Sequence, residues 1–335
     1  MKNRGLIVAV DGGNSKTDVA LLTDDGAVLA LVRGRGSSPH ELGLPRSMQV
    51  VDSLVTRAWR AAGLGDRDGG RAKVAALFMA GADLPDEENA LRDAVTAQGW
   101  ATSNHVANDV FAVLWAATGS GVGVAVTVGA GLNCVGRGAD GRTAWFPALG
   151  AISGDWGGGP DIGLAALGAG VRAEDGRGRP TTLAGAVASH FGLRTALDVT
   201  IAIHQGHLRA SRLIELPPLV VLEAERGDAA ARAILDRQAD EVVALALAAL
   251  RQLGADGTPI DVVLGGSILA ASRAIIFKRI SDSIHVDAPA ARVMVCDVRP
   301  VVGAAVAGLR LAGAGDAAIL QARAGLGDGE GLTEL

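Results

Sequence analysis

The sequence contains no tyrosine, only two cysteines, and few other aromatic residues, with five tryptophans and five phenylalanines among 335 residues. Cys134 and Cys296 lie in separate apolar runs and form no C-x-x-C pair, which argues against a disulfide framework, a zinc site and an iron–sulfur cluster. No apolar run approaches the roughly 18 residues of a membrane span. No cluster of Lys and Arg offers a surface for nucleic acid. The expected partner is therefore a small molecule.

The composition is that of a globular protein, with 49% hydrophobic residues, 20% charged residues and a formal net charge of −5. The length is sufficient for two domains of ordinary size. Lys2 and Arg4 precede apolar residues, but Asp11 interrupts the run too early for a signal peptide. Isolated thiols suit a reducing compartment. We therefore expect a cytoplasmic protein.

The most informative motif is D-G-G-N-S-K-T at residues 11–17, between strands predicted at Leu6–Val10 and Asp18–Leu22. Its glycines let the backbone approach an anion closely, and successive N–H groups can point at it. A Walker A loop is excluded, because Ser15 stands where the second glycine must be and a strand follows. The motif alone is compatible either with a phosphate loop or with an ordinary hairpin turn.

Predicted strands and helices alternate in the first part of the chain. A third strand is predicted at Ala27–Arg33, and Arg35–Gly43 is interpreted as a loop because Pro39 opposes a helix there. The last helix is predicted at about Gly303–Leu311, and the Gly-rich, acidic tail after Gly313 is expected to be poorly ordered.

A second strand, glycine turn and strand begins at Val122 and repeats the organisation of the opening hairpin, which indicates an internal duplication of architecture. Four loop motifs now follow predicted strands: residues 11–17, Asn108–Asp109, G-A-G-L-N at 129–133 and G-G-S at 265–267. Their order and spacing resemble the sugar kinase, heat-shock-70 and actin superfamily. Within it the chain resembles the branch of N-acetylglucosamine kinases and BadF/BadG/BcrA/BcrD ATPases, from about residue 6 to 311.

The resemblance implies an α/β fold of two duplicated ribonuclease-H-like domains, as in actin-like ATPases, with an interdomain cleft. The N-terminal domain would comprise residues 1–117 and about 301–325, and the C-terminal domain residues 118–300. Residues 326–335 would form a tail.

The resemblance also implies ATP and magnesium as cofactors. Asp11 would hold the metal, and the first phosphate loop would contact the β- and γ-phosphates. Ala130 replaces the threonine of the usual G-T-G pattern in the second loop, which removes one hydroxyl donor. The residues expected to bind ATP are Gly12, Gly13, Asn14, Ser15, Lys16, Thr17, Gly129, Ala130, Gly131, Gly265, Gly266 and Ser267.

Asp109 is the expected catalytic residue, because a carboxylate can orient an attacking sugar hydroxyl and accept its proton. An aspartate before a helix is also a common N-cap, so the capping interpretation stays open for this residue. Ser38 replaces the asparagine that N-acetylglucosamine kinases usually present to the sugar. Trp156 follows Asp155 where those kinases commonly have Glu. The residues expected to contact the sugar are Ser38, Asn108, Asp109, Asn133, Gly150 and Asp155.

These expectations predict an ATP-dependent kinase that phosphorylates an amino sugar, N-acetylglucosamine or glucosamine first, and that forms a homodimer. One alternative is an ATPase that activates a reductase or dehydratase, although such proteins typically carry cysteines for a shared cluster. Another is a sugar-sensing protein of the same fold without turnover, which Ala130 and Ser38 keep open.

Overall fold

The computed structural model describes residues 5–65, 71–255, 257–327 and 332–333. The chain divides into two compact units. The first unit comprises Met1–Ala125, Gly136–Gly141 and Cys296–Leu335, and the second comprises Val126–Val135 and Arg142–Val295. The domain bounds expected from the family resemblance stay a prediction. Among the described residues, no helix is both long enough and apolar enough to cross a membrane.

The first sheet has six strands in the order β11-β3-β2-β1-β4-β5. Strands β1, β2 and β3 pair antiparallel, whereas β4 and β5 continue the sheet in parallel from β1. The apolar residues of the first two strands are almost all fully buried, as expected for a sheet covered on both faces. The strands are β1 Leu6–Gly12, β2 Lys16–Thr23, β3 Val28–Arg35, β4 Ala72–Met79, β5 Ala101–Asn108 and β11 Leu332–Thr333.

Helices cover the two faces of this sheet with separate apolar cores. On one face α2 contributes Val51, Val55 and Trp59, and on the other α11 contributes a continuous buried stripe. Gly303 of α11 permits close passage, because an added Cβ would lie 1.8 Å from the carbonyl oxygen of Ala112. The helices are α1 Pro39–Leu42, α2 Leu44–Ala61, α3 Pro85–Gln98, α4 Val110–Thr118, α11 Pro300–Leu311 and α12 Asp316–Gly327.

The second sheet has five strands in the order β10-β9-β6-β7-β8. Its strands are β6 Gly123–Val128, β7 Leu132–Arg137, β8 Thr143–Trp145, β9 Ile260–Gly265 and β10 Ala291–Val295. The helices of the second unit are α5 Gly159–Glu174, α6 Leu183–His190, α7 Ala196–His204, α8 Pro217–Glu225, α9 Ala229–Leu253 and α10 Ser267–Asp287.

The two sheets share one strand order. Apart from β11, the first sheet has the order β3-β2-β1-β4-β5, and the second sheet has the order β8-β7-β6-β9-β10. If the strands of each sheet are numbered one to five along the chain, both orders are 3-2-1-4-5. The internal duplication expected from the repeated strand–turn–strand pattern is therefore present, and the predicted α/β fold class is confirmed.

Two predictions about local structure are wrong. Pro39 does not exclude a helix but begins the one-turn helix α1, because proline has no N–H to lose at the first helical position. The tail contains helix α12, which buries Ala322 and Leu326 against the first sheet. Its apolar face outweighs the low helix propensity of its glycines. Of the predicted tail at 326–335, residues 328–331 and 334–335 lie outside the described part of the chain.

Candidate active site

The tip of the β1–β2 hairpin exposes Asn14, Ser15 and Lys16. The turn is closed by the Gly13 N–H, which donates to the Lys16 carbonyl oxygen at 2.9 Å. An amide, a hydroxyl and an ammonium group at one tip suit the oxygens of a phosphate chain. The tip therefore has the donor chemistry that the sequence motif predicts.

Gly36 and Ser37, which follow β3, pack against the backbone of this tip. Gly36 passes so close that an added Cβ would lie 1.9 Å from the Asn14 carbonyl oxygen. The Ser37 N–H donates to the Gly13 carbonyl oxygen at 3.0 Å, and Thr17 Oγ1 donates to Ser37 Oγ at 2.8 Å. Thr17 is fully buried, so its side chain belongs to the packing of the hairpin and not to its exposed tip.

Asp11, Asp18 and Arg33 lie side by side across the first three strands, because Asp11 is opposite Asp18 and Asp18 is opposite Arg33. Arg33 grips Asp18 with two hydrogen bonds, from Nε at 2.7 Å and from Nη2 at 2.9 Å. Arg299, immediately before α11, adds a contact from Nη2 to Asp18 Oδ2 at 3.3 Å. Of these four residues, only Asp11 stands in a motif that the sequence marks, and Asp18, Arg33 and Arg299 become recognisable only in the structure.

The pKa values of the two aspartates of this row are shifted in opposite directions. Burial alone would raise the pKa of Asp18, but the hydrogen bonds and charges of Arg33 and Arg299 bring it below 3.8. Burial, together with the negative charges of Asp109 and Asp18, raises the pKa of Asp11 to about 8. A divalent cation would favour the ionised form of Asp11, and Mg²⁺ prefers carboxylate oxygen. Asp11 therefore has the chemistry expected of a magnesium-holding residue.

Asn108 and Asp109 stand where β5 ends and α4 begins. The N–H of Val110 donates to Asn108 Oδ1 at 3.0 Å, so the Asn108 side chain satisfies the first amide of the helix. Part of Asp109 stays accessible to water. Burial, reinforced by the negative charge of Asp83, raises the pKa of Asp109 to about 7. A carboxyl group with such a pKa can take up a proton near neutral pH.

A polar network that the sequence analysis missed surrounds Asn108. Asn108 Nδ2 donates to Asp83 Oδ1 at 2.7 Å, and His40 Nε2 lies 2.8 Å from Glu87 Oε1. One ligand atom each of His40, Asp83 and Glu87 lies within 4.8 Å of the others. Glu87 Oε2 already accepts from the N–H groups of Asp83 and Leu84, which favours a structural role over a metal site.

Ser38 is buried two residues before His40, with 1% of its surface exposed. Its Oγ finds no hydrogen-bond partner among the residues that the structure describes. Buried hydroxyl groups usually have a hydrogen-bond partner, so Ser38 Oγ has unused hydrogen-bonding capacity. Ser38 is one of the residues expected to contact the sugar.

In the second unit, the 129–131 turn packs against the start of α5. The N–H of Gly159 donates to the Gly129 carbonyl oxygen at 2.8 Å. At Gly158 an added Cβ would lie 2.7 Å from Gly131 Cα, so glycine is needed for the close approach. Added Cβ atoms at Gly129 and Gly131 would meet no described atom within 4 Å, which leaves that side of the turn open.

Gln238 of α9 hydrogen-bonds the segment that precedes α5. Its Oε1 accepts from the Gly158 N–H at 3.1 Å, and the residue is fully buried. Gln238 was missed by sequence analysis, because it lies 80 residues from Gly158 in the chain.

The segment before α5 presents Asp155 on a glycine-rich turn. The Asp155 N–H donates to the Gly150 carbonyl oxygen at 3.1 Å, and Ser153 Oγ donates to Asp155 Oδ2 at 2.5 Å. Gly150 has a φ of 67°, which only glycine adopts at little cost. Beside them, Arg237 Cζ lies 3.9 Å from the centre of the Trp156 ring. This arrangement orients one carboxylate oxygen of Asp155 and fixes an aromatic ring next to it.

The remaining predicted residues lie at the ends of strands of the second sheet. Asn133 is in β7, where its Oδ1 accepts from the Cys134 N–H at 2.7 Å. Gly265 ends β9, and Gly266 precedes α10 with a φ of 94°. An added Cβ at Gly266 would lie 2.3 Å from the Val128 carbonyl oxygen. Ser267 is the first residue of α10.

Gly158→Ala is expected to lower the free energy of unfolding by about 2 kcal/mol more than Gly154→Ala. Both glycines have a φ of 85°, but an added Cβ meets a neighbouring backbone only at Gly158. The clash is with the 129–131 turn, so if that turn binds the nucleotide as the family resemblance implies, ADP affinity should also fall in Gly158→Ala alone. Urea unfolding and titration calorimetry measure both quantities. Equal losses in the two variants would contradict the role given to this contact.

The chain is similar to known proteins in sequence and in fold. Its sequence matches the BadF/BadG/BcrA/BcrD ATPase family over residues 8–308. The chain belongs to this family. Its membership in the BadF/BadG/BcrA/BcrD ATPase family confirms the resemblance inferred from the four loop motifs.

The individual relatives share about a quarter of their residues with this chain, at 26% and 24% identity. The chain is 26% identical over 265 residues to an N-acetylmuramic acid/N-acetylglucosamine kinase of Clostridium acetobutylicum, covering 78% of this chain and 85% of that protein. It is 24% identical over 317 residues to an N-acetyl-D-glucosamine kinase of Dictyostelium discoideum, covering 92% and 98%. A solved structure from Chromobacterium violaceum, described as that of a candidate N-acetylglucosamine kinase, has a TM-score of 0.71 at 24% identity. It covers 91% of this chain and 99% of that one, which shows that the fold is shared.

Proposed function

We propose that this protein is an ATP-dependent kinase that phosphorylates an amino sugar, with N-acetylglucosamine or glucosamine as the first candidates. The observation that carries the proposal is Asp109, a partly accessible carboxyl group between the end of β5 and the start of α4, whose pKa burial raises to about 7. The kinase relatives of Clostridium acetobutylicum and Dictyostelium discoideum support the acceptor class.

For the nucleotide, we propose that Asp11 holds Mg²⁺ and that Asn14, Ser15 and Lys16, with the backbone of Gly12 and Gly13, bind the phosphates. The 129–131 turn would add backbone donors, and residues 265–267 would pack against the adenosine. When bound, the metal neutralises charge on the phosphate oxygens. The exposed donors of the hairpin tip would orient those oxygens for in-line transfer.

For the acceptor, we propose that Asp109 hydrogen-bonds the attacking hydroxyl and takes its proton as the oxygen forms a bond to the γ-phosphorus. The bond from that phosphorus to the leaving oxygen of ADP breaks in the same displacement. The other residues proposed to contact the sugar are Ser38, Asn108, Asn133, Gly150 and Asp155. Trp156, with Arg237 stacked on it, would offer the sugar an apolar surface beside Asp155.

The rate should rise with pH if Asp109 is the base. Its protonated form cannot accept a proton, so kcat/KM for the acceptor at saturating MgATP should increase about tenfold per pH unit below 7 and level off above it. The raised pKa of about 7 sets this limb. Initial rates measured from about pH 5 to about pH 8, a range that spans this pKa, test the predicted rise. A flat profile would contradict the assignment of Asp109.

Incubation with MgATP and a panel of N-acetylglucosamine, glucosamine, N-acetylmuramic acid and glucose tests the proposed function. Release of ADP that depends on at least one sugar is expected. Iron and labile sulfide in anaerobically purified protein would instead favour the activating ATPase. Sugar binding without turnover would favour the sensor. The buried thiol of Cys134, whose pKa burial raises above its ordinary value, fits cluster ligation poorly. A homodimer and a cytoplasmic location belong to the same proposal.

A further inference from the structure

The network behind Asn108 gives a role to a residue that no motif marks. We propose that Asp83 is a positioning residue of the acceptor site, whose carboxylate fixes the orientation of the Asn108 carboxamide next to Asp109. That the Asn108 carboxamide contacts a sugar rests on the proposed function. The positioning itself does not depend on which molecule binds.

Asn108 is fixed at both ends of its carboxamide. Its Oδ1 accepts from the Val110 N–H at 3.0 Å, and its Nδ2 donates to Asp83 Oδ1 at 2.7 Å. Rotating the carboxamide by half a turn would face an NH₂ group towards the Val110 N–H and an oxygen towards a carboxylate. Both contacts would then be repulsive. Asp83 and the Val110 N–H therefore favour the same one of the two orientations that an asparagine side chain can adopt.

Asp83 is itself held in place. Its side chain is only 12% exposed, and its N–H donates to Glu87 Oε2 at 3.1 Å. The other oxygen of Glu87 lies 2.8 Å from His40 Nε2, and His40 Nδ1 lies 3.9 Å from Asp83 Oδ2. Because His40 follows Ser38 closely in the chain, this network also joins the segment that carries the unpartnered Ser38 hydroxyl to the end of β5.

The position of Asp83 follows from the topology. Strands β4 and β5 are parallel neighbours, so the segments that follow them meet at the same edge of the sheet. Asp83 comes soon after β4 ends, and Asn108 is the last residue of β5. Its negative charge also contributes to the raised pKa of Asp109, which agrees with close proximity. A carboxylate here can thus act on both residues of the Asn108–Asp109 pair.

Three variants separate orientation from general disruption. Asp83→Ala removes the acceptor for Asn108 Nδ2, whereas Asp83→Asn can retain it through its amide oxygen. Asp86→Ala is the matched control, because Asp86 is an exposed acid in the first turn of α3. If Asp83→Ala melts far below the wild type, Asp83→Ser takes its place, since a serine hydroxyl is too short to reach Asn108.

The first readout needs no ligand. Hydrogen exchange, followed by mass spectrometry on peptides covering residues 108–114, should be about tenfold faster at the Val110 amide in Asp83→Ala. Asp83→Asn and Asp86→Ala should exchange like the wild type. Unchanged exchange in Asp83→Ala, or in its serine replacement, would overturn the positioning role whatever the protein phosphorylates.

The second readout compares the change in the acceptor KM with the change in the KM for ATP. The acceptor is the sugar that the wild type phosphorylates best. Asp83→Ala should raise the acceptor KM about tenfold and leave the KM for ATP within about twofold, because a charged hydrogen bond is lost only on the acceptor side. Equal changes in both KM values would overturn the acceptor role. If the wild type phosphorylates no sugar in the panel, the proposed function fails, and the exchange result still decides whether Asp83 positions Asn108.

Discussion

Asp109→Asn is expected to lower kcat by about a thousandfold while the affinities for ADP and for the acceptor stay within about threefold of the wild type. Asparagine has nearly the same shape as aspartate and can still hydrogen-bond the acceptor hydroxyl, but it cannot take up the proton. Asparagine is also as good a helix N-cap as aspartate, so the start of α4 should be preserved. The substitution therefore separates the catalytic interpretation from the capping one.

Steady-state rates and titration calorimetry with ADP and with the acceptor measure these effects. Asp93→Asn is a suitable control, since Asp93 is an exposed residue of α3 and should leave kcat unchanged. A loss of nucleotide affinity as large as the loss of kcat would instead indicate that Asp109 serves the structure of this strand end.

Asp18→Ala is expected to lower the free energy of unfolding at neutral pH by about 3 kcal/mol, because removing one partner of a buried ion pair leaves the other uncompensated. Asp18 is 1% exposed and contacts both Arg33 and Arg299, each about one-quarter exposed at 25% and 24%. Burial acts against the ionised carboxylate, but the two guanidinium groups outweigh it and keep the pKa of Asp18 below 3.8.

The pH dependence of this effect has a definite sign. A carboxyl group with a lowered pKa stabilises the folded state above its unfolded pKa, and that contribution is lost as the pH falls through the folded value. The difference between Asp18→Ala and the wild type should therefore be full at neutral pH and shrink as the pH falls below 3.8, the ordinary pKa of an aspartate.

Urea unfolding at neutral and acidic pH measures the difference in the free energy of unfolding between Asp18→Ala and the wild type. Asp175→Ala is the matched control, because Asp175 pairs with Arg177 at 2.6 Å but both side chains are exposed, at 38% and 61%. Exposed pairs contribute little, so the control should unfold almost like the wild type. Similar losses in both variants would contradict the importance given to burial.

Features that depend on neighbouring residues in the chain could be predicted from the sequence. Helix α9, Ala229–Leu253, has both of its ends marked by adjacent residues: Asp228 accepts hydrogen bonds from two N–H groups of its first turn, and Gly254 ends it at a φ of 65°. Helix α12 was missed, since its glycines masked an apolar face that only the packing against the first sheet reveals.

The candidate site was predictable in part, for the same reason. Asp11 lies near the end of the apolar strand β1 and Asp109 directly follows β5, and both stand in short motifs that the sequence marks. Asp83 is 25 residues from Asn108, and Arg299 is 281 residues from Asp18, so these contacts exist only once the strands are in register. One signal could have revealed Asp83: it is a carboxylate just after the buried strand β4, as Asp109 is just after β5.

The most direct test follows the γ-phosphoryl group of ATP itself. Wild-type protein incubated with magnesium, γ-labelled ATP and N-acetylglucosamine or glucosamine is predicted to transfer the label to a sugar hydroxyl, and Asp109→Asn should not transfer it at a measurable rate. Label found only in inorganic phosphate, whichever sugar is present, would contradict the account of this protein as an amino-sugar kinase.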